Sequence, residues 1–499
     1  MLWTVVAVFL VIWTMISRWR NRRMIALADQ IGPKSIALPI VGHAYRLLGS
    51  NEDRMKTFQR IGREALEKGG LISHWHGNRL FILVADPEAA EVLLKTCLEK
   101  DDFIKLFSVL LGNGSIFAPG HFNMATFSPK NLNYFVEVFS RQSSIMADQL
   151  RTVAGRGAFP VWKYLTTYTM DSVCETTLGI QVNAQLEPEQ SFLNAFENCC
   201  RLDARRMCQP WLHNDTLYRF FCSDAFELHT HSKELIWNFM DKIITSKWAA
   251  LKKKKLESNS NQIHKESLKT FLELLIESSG GDKGYNNLEL REETLVIVLA
   301  GTDTSAVGTA FTTVMLAKHP DIQEKVYQEI QEVFGDSDRP VSSEDLPRLK
   351  YLDAVIRETL RLYPPVPFIV RQVFKDVTLR ITLVEGCGLF ISIWSIHRNP
   401  RYWGDDAELF RPERFIDTPL KHPAAFMPFS HGPRSCLGYQ YAMMSMKTAL
   451  ATLVRQYRVL PSEPKGTSEA KTDKSELRLK FDVMMKDVHD FVIQLDLRT

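Results

Sequence analysis

The segment Phe429-Ser430-His431-Gly432-Pro433-Arg434-Ser435-Cys436-Leu437-Gly438 decides how the rest of the chain is read. Gly432 and Pro433 prevent regular structure and force a tight loop. Gly438 lets the backbone come close to something flat. Cys436 then opens a strongly apolar run, residues 437–453, whose spacing predicts a helix. A cysteine at a helix start has its thiolate favoured by the dipole and by free backbone N–H groups. Arg434, two residues earlier, adds a fixed cation. A single cysteine is ordinarily a small buried hydrophobe, but these neighbours prepare an anionic sulfur.

An anionic sulfur in an apolar setting beside an arginine is what an axial ligand to haem iron requires, because a thiolate pushes electron density toward the metal and favours O–O cleavage. Upstream, residues 293–317 are apolar nearly all round, which predicts a buried helix. Inside it lies Ala300-Gly301-Thr302-Asp303-Thr304-Ser305. Glycine there costs about 1 kcal/mol against alanine, and a buried aspartate is costly unless paired. Such rule-breaking at the centre of a good helix points to function. Glu358 and Arg361 stand at i and i+3 on another helical stretch, where they can pair.

The whole frame F-x-x-G-x-R-x-C-x-G around Cys436 resembles the haem-binding loop of the cytochromes P-450. The resemblance covers essentially the entire chain. It is nearest to the microsomal clan 4 type that contains the fatty-acid ω-hydroxylases, especially insect members. Residues 171–179, 209–212 and 318–361 carry that likeness. The resemblance implies a mainly α fold with a minor β component, the haem lying between an oxygen-activation helix and the cysteine-ligand loop. It implies a haem-thiolate monooxygenase with non-covalent haem b. In that reading Cys436 ligates the iron. Phe429, Gly432, Arg434 and Gly438 shape the loop, and Arg371, after a proline-containing turn, binds a propionate. Glu358, Arg361 and Arg414 would form a structural charge cluster behind the haem. Gly301 would leave room for dioxygen. Asp303 and Thr304 would hold water and deliver protons so that the O–O bond breaks productively. Electrons would come from NADPH through cytochrome P-450 reductase, with cytochrome b5 as a further donor. The substrate would be a lipophilic small molecule: a fatty acid, semiochemical, hormone or xenobiotic. Its pocket would lie under the residue 293–317 helix, bounded by residues 366–370 and 483–485.

Two departures from the pattern stand out. Many fatty-acid hydroxylases of this clan carry a glutamate just before the glycine of the oxygen helix, where it esterifies the haem; Ala300 occupies that place. The family also has a Trp-x-x-x-Arg helix that grips a propionate and forms part of the reductase docking face, yet residues 112–140 contain neither Trp nor Arg. His121 offers one hydrogen bond at most. Two other readings therefore stay open. One is a haem-thiolate isomerase or dehydratase working without a reductase, against which the Asp303–Thr304 pair speaks. The other is a defective or catalytically dead chain.

The remaining residues set the context. Residues 2–16 form an apolar run followed by Arg18, Arg20, Arg22 and Arg23. The run is short for a span, but Trp13 and Trp19 extend it as interfacial anchors. Positive charge after the run predicts an uncleaved anchor over residues 1–23 in the endoplasmic reticulum membrane with the body cytosolic. Residues 24–45 read as a Pro/Gly hinge and 46–499 as the haem-thiolate domain. A net charge of +3 does not argue for nucleic acid. The eight cysteines lack regular spacing and read as reduced thiols, seven of them packing residues. Residues 74–84 predict a hairpin around Gly77-Asn78, residues 87–95 a helix, 377–384 and 481–497 strands, and 252–262 a charged linker. His74 and His76 share a strand face without a third ligand of matching spacing. Gly112-x-Gly114 is too weak for a nucleotide site.

Overall fold

The computed structural model describes residues 4, 12, 15–32, 36–38, 40–101, 103–104, 108–112, 114, 129–187, 191–258, 270–278, 285–462 and 477–498. The apolar run at residues 2–16 lies almost wholly outside them, as do His121 and most of the 112–128 stretch. Helices dominate, and short strands flank them.

The Gly77-Asn78 turn joins β1 (Leu71–His76) to β2 (Arg79–Val84), with His76 opposite Arg79. Gly77 has φ of 62°, the left-handed backbone that a two-residue hairpin turn demands. Two further strands, β3 (Ile369–Gln372) and β4 (Gly388–Ile391), complete this sheet in the order β1-β2-β4-β3. β2 runs parallel to β4, and β3 antiparallel to it. A helix, α1 (Pro87–Thr96), leaves the end of β2, its first turn capped by Asp86. The chain then passes beside β3, where the Gln372 amide donates to the Glu99 carbonyl at 3.1 Å.

The helical body contains α2 (Pro129–Arg151), α3 (Trp162–Val173), α4 (Ser191–Cys208), α5 (Ser223–Ser258), α6 (Asn287–Lys318), α7 (Lys350–Leu362) and α8 (Tyr439–Gln456). α6 runs through the core against α3, α7 and α8. It begins earlier than its apolar pattern, at Asn287. Asn286 and Glu289 cap each other's amides at 3.0 and 2.8 Å, a reciprocal box that satisfies two orphan donors. Among the described residues it is the helix long and apolar enough to cross a membrane, and most of it is buried in the protein.

Some expectations need correction. Residues 377–384 form two short paired strands, Val377–Thr378 and Thr382–Leu383, rather than one. The charged run at 252–258 continues α5 as helix; the rest of that linker lies outside the described residues. The helix Arg22–Ile31 takes in residues 24–31 of the expected hinge, and the chain turns at Gly32, with φ of 87°. At the carboxyl end the strand region divides into β5 (Leu479–Asp482), β6 (Met484–Asp487) and Val492–Leu497. All eight cysteines are free thiols; Cys222 is half-buried, and Cys436 alone is exposed.

Candidate active site

A cavity of about 440 Å³ lies between α6 and the Phe429–Gly438 loop. Val173, Val296, Ile297, Leu360, Val366 and Ile369 give it apolar walls. Cys436, Phe429, Arg434 and Gly438 line its loop side, and Ala300, Gly301, Thr304 and Ser305 its helix side.

The loop is held by few bonds. The Cys436 amide donates to the Phe429 carbonyl at 2.8 Å. Gly432 has φ of 77° and would place a Cβ only 3.0 Å from the Leu94 carbonyl oxygen of α1, so both its backbone and its surroundings require glycine. Gly438 needs no unusual φ. The one atom near a Cβ there would be the Cys436 Sγ, at 3.9 Å, so the glycine keeps the space beside the sulfur clear. α8 begins at Tyr439 with Gly438 as its N-cap. Cys436 therefore precedes the helix instead of opening it. Burial pushes its thiol up, opposed by a hydrogen bond from the Gly438 amide. The sulfur is accessible because it faces the cavity, and the protein around it still desolvates it.

Cations gather at one side. Arg371 on β3 and Arg434 in the loop both line the cavity, as does Lys100 from the segment after α1. No Asp or Glu is among the described lining residues. Arg371 is buried, and its Nε has no hydrogen-bond partner. Burial first, then the Arg371 and Arg434 charges, brings Lys100 down to about 7. Burial and Arg434 bring Arg371 down to about 10. Lys100 escaped the sequence reading because a lone lysine after a helix carries no local signal.

On α6, Thr304 Oγ1 donates to the Ala300 carbonyl at 2.6 Å, while the side chain borders the cavity. Gly301 also borders it, and a Cβ there would stand 2.8 Å from Val173 Cγ2 on α3. Its lack of a side chain serves helix crossing as well as open space. Asp303 does not line the cavity. Its carboxylate is buried and accepts from Lys486 Nζ of β6 at 2.7 Å. Lys486 in turn lies over the Trp162 ring, 4.5 Å from its centroid, and the Asp303 charge raises it against burial. The expected Asp303–Thr304 pairing is thus divided between two environments. Residues 366 and 369 line the cavity, but 483–485 do not; the Met485 amide instead donates to the Pro365 carbonyl at 2.9 Å.

Behind the loop, Glu358, Arg361 and Arg414 meet. Glu358 accepts two bonds from Arg361, at 2.7 and 2.9 Å, and one from Arg414 Nε at 3.0 Å. Arg361 also donates to the carbonyls of His397 and Leu409, at 2.8 and 3.1 Å. His397 carries this order to the loop: its Nε2 accepts from the Met427 amide at 2.9 Å and its Nδ1 faces the Arg361 carbonyl at 3.1 Å. Burial lowers His397 to about 3, so the ring is neutral and serves as that acceptor. Tyr441 of α8 meets Thr176 at 3.0 Å and so ties the helix after Cys436 to the helical turn Cys174–Leu178 that follows α3.

The sequence profile of the cytochrome P-450 family matches residues 32–481. The chain belongs to the cytochrome P-450 family. Cytochrome P-450 4c21 of Blattella germanica is 31% identical over 88% of this chain and 89% of its own length. Cytochrome P-450 4d2 of Drosophila melanogaster is 29% identical over 89% and 91%. Cytochrome P-450 4V2 of Mus musculus is 31% identical over 96% and 91%. The chain is thus a haem-thiolate monooxygenase of the family-4 type, with haem b held by a cysteine. The cavity fits that cofactor: an accessible thiol, apolar walls for a macrocycle, and a buried Arg371 whose orphaned Nε suits an anionic partner.

Proposed function

We propose that this cytochrome P-450 inserts one oxygen atom from dioxygen into a lipophilic small molecule, with Cys436 as the iron ligand and NADPH electrons supplied through a reductase. The observation that carries this reading is the joint lining of one cavity by Cys436, by cations and by the Ala300–Thr304 face of α6. When bound, the haem supplies the oxygen activation and the redox chemistry. Cys436 would bind as thiolate, the iron favouring the deprotonated sulfur. Arg371 and Arg434 would pair with the propionates, each charge-assisted bond contributing roughly 1.5–3 kcal/mol. Thr304 would turn its hydroxyl from the Ala300 carbonyl to hold water and pass a proton into the cavity. Asp303, paired with Lys486, would shape α6 rather than share that hydroxyl's surroundings. Gly301 would keep the cavity open beside Val173. With Ala300 in place of a glutamate, the haem would stay non-covalent. Glu358, Arg361 and Arg414 would hold the loop from behind.

Residues 1–23 would anchor the chain in the endoplasmic reticulum membrane, 24–45 would connect, and 46–499 would form the cytosolic catalytic domain. Fatty acids, semiochemicals, hormones and xenobiotics suit the apolar walls; cytochrome b5 would serve as a second electron donor. Membranes holding the full chain and a reductase should oxygenate a lipophilic substrate only with NADPH, the added oxygen coming from labelled dioxygen. Turnover of a peroxide without NADPH would favour the isomerase or dehydratase reading instead.

A further inference from the structure

α6 carries seven hydroxyl side chains, and five of them close on their own helix. Thr294, Thr304, Thr309, Thr312 and Thr313 each donate to the carbonyl four residues back, at 2.6 to 2.9 Å, the habit of a threonine inside a helix. Thr302 and Ser305 do not. Both are buried, at 1% and 3% exposure, and neither hydroxyl has a hydrogen-bond partner among the described residues. A buried hydroxyl left unmatched is destabilising, so the two exceptions call for a partner. Ser305 also lines the cavity. The acid between them, Asp303, is turned to Lys486 of β6 and does not serve them. Residues three apart on a helix are neighbours, with Cβ atoms about 5–6 Å apart. That is the span one water bridges with two ordinary hydrogen bonds, and the cavity beside Ser305 gives it room.

We infer that Thr302 and Ser305 hold a water in the wall of the cavity, beside Thr304, and that this water sets the direction of the Ser305 hydroxyl. The inference rests on the haem-thiolate reading above. The water donates to Thr302 Oγ1 and to Ser305 Oγ, and the Ser305 O–H, not engaged with its own helix, is directed into the cavity as a donor. Thr304 closes on the Ala300 carbonyl at 2.6 Å, so Ser305 offers the open hydroxyl on this wall. A donor held there stabilises negative charge developing on oxygen. Thr302 is a positioning residue that acts through the water, and Ser305 is the group that faces what the cavity holds.

The test combines thermal unfolding of the full-length protein in detergent with NADPH oxidation in the presence of a reductase. Ser305→Ala and Thr302→Val each take one partner from the water and strand the other hydroxyl, so each should lower Tm by about 1–3 °C. The double variant removes both hydroxyls and should return most of that loss. Ser305→Ala should also raise the peroxide released per NADPH oxidised severalfold, and Ser305→Thr, which keeps the hydroxyl, should bring it back toward the parent. Hydroxyls that meet no water destabilise the fold where they stand, so a Tm that rises or stays level in both single variants overturns the site. Additive losses overturn it too, because they mark two independent side chains. A peroxide yield unmoved by Ser305→Ala overturns the donor role. If the parent gives no thiolate-type ferrous carbonyl band, the haem-thiolate reading fails and the donor role with it, while the Tm cycle still decides the water.

Discussion

Lys486→Met leaves Asp303 as an uncompensated charge in the core, because both side chains are almost wholly buried and bonded at 2.7 Å. Breaking a buried pair by removing one partner costs about 3–5 kcal/mol. Unfolding entropy of about 2.1 cal/mol/K per residue over 499 residues is roughly 1 kcal/mol/K, so Tm should fall by about 3–5 °C. Asp303→Asn alone strands the Lys486 ammonium, whose remaining comforts are the Trp162 ring and Glu197, and should cost a similar amount. The double variant Asp303→Asn/Lys486→Met removes both charges and should recover most of either loss, giving a strongly non-additive cycle. Thermal unfolding followed by circular dichroism at a fixed scan rate reads all four proteins. Additive losses, or an unchanged Tm for Lys486→Met, would show that the two side chains do not form a buried pair in solution.

Acid should destabilise the protein through β1. Burial holds His74 far below its usual range and His76 at about 3. The unfolded chain therefore takes up protons near pH 6.5 while the folded chain does not, and stability falls as pH drops below that point, by up to ~1.4 kcal/mol per pH unit per ring. For His76 the loss continues to about pH 3. His76→Phe, packed beside Phe81 and Phe103, should narrow the gap between denaturant midpoints at pH 7 and pH 5; an unchanged gap would contradict the assignment. Gly301→Ala should cost about 1–3 kcal/mol by overpacking, and Val173→Ala should restore much of it, since Val173 Cγ2 is the near neighbour; a Tm unmoved by either change would refute the crossing contact.

The site divides sharply into what a sequence can carry and what only a fold can. The Cys436 loop was legible because its glycines, proline, arginine and cysteine lie within ten positions and each restricts the backbone or the charge locally. The Gly77-Asn78 hairpin was legible for the same reason, one turn type demanding one residue type. Glu358 and Arg361 are neighbours on a helix, but their third member, Arg414, was placed by family likeness. Lys486 and Lys100 could not be foreseen. The first pairs with Asp303 across 183 positions, and the second is defined by β3 running alongside it. The start of α6 was missed although its signal was present: Asn286 and Glu289 stand at the spacing of a capping box, ahead of the apolar run. The start of α8 was set too early, at Cys436, because the apolar run begins there, whereas the chain needs the residues through Gly438 to leave the loop.

The carbon-monoxide difference spectrum of the dithionite-reduced full-length protein in membranes tests the central claim most directly, recorded beside Cys436→Ser. The account predicts a strongly red-shifted Soret band for the parent and its loss in the variant. A parent without that band, or a variant that keeps it, would contradict Cys436 as the thiolate ligand.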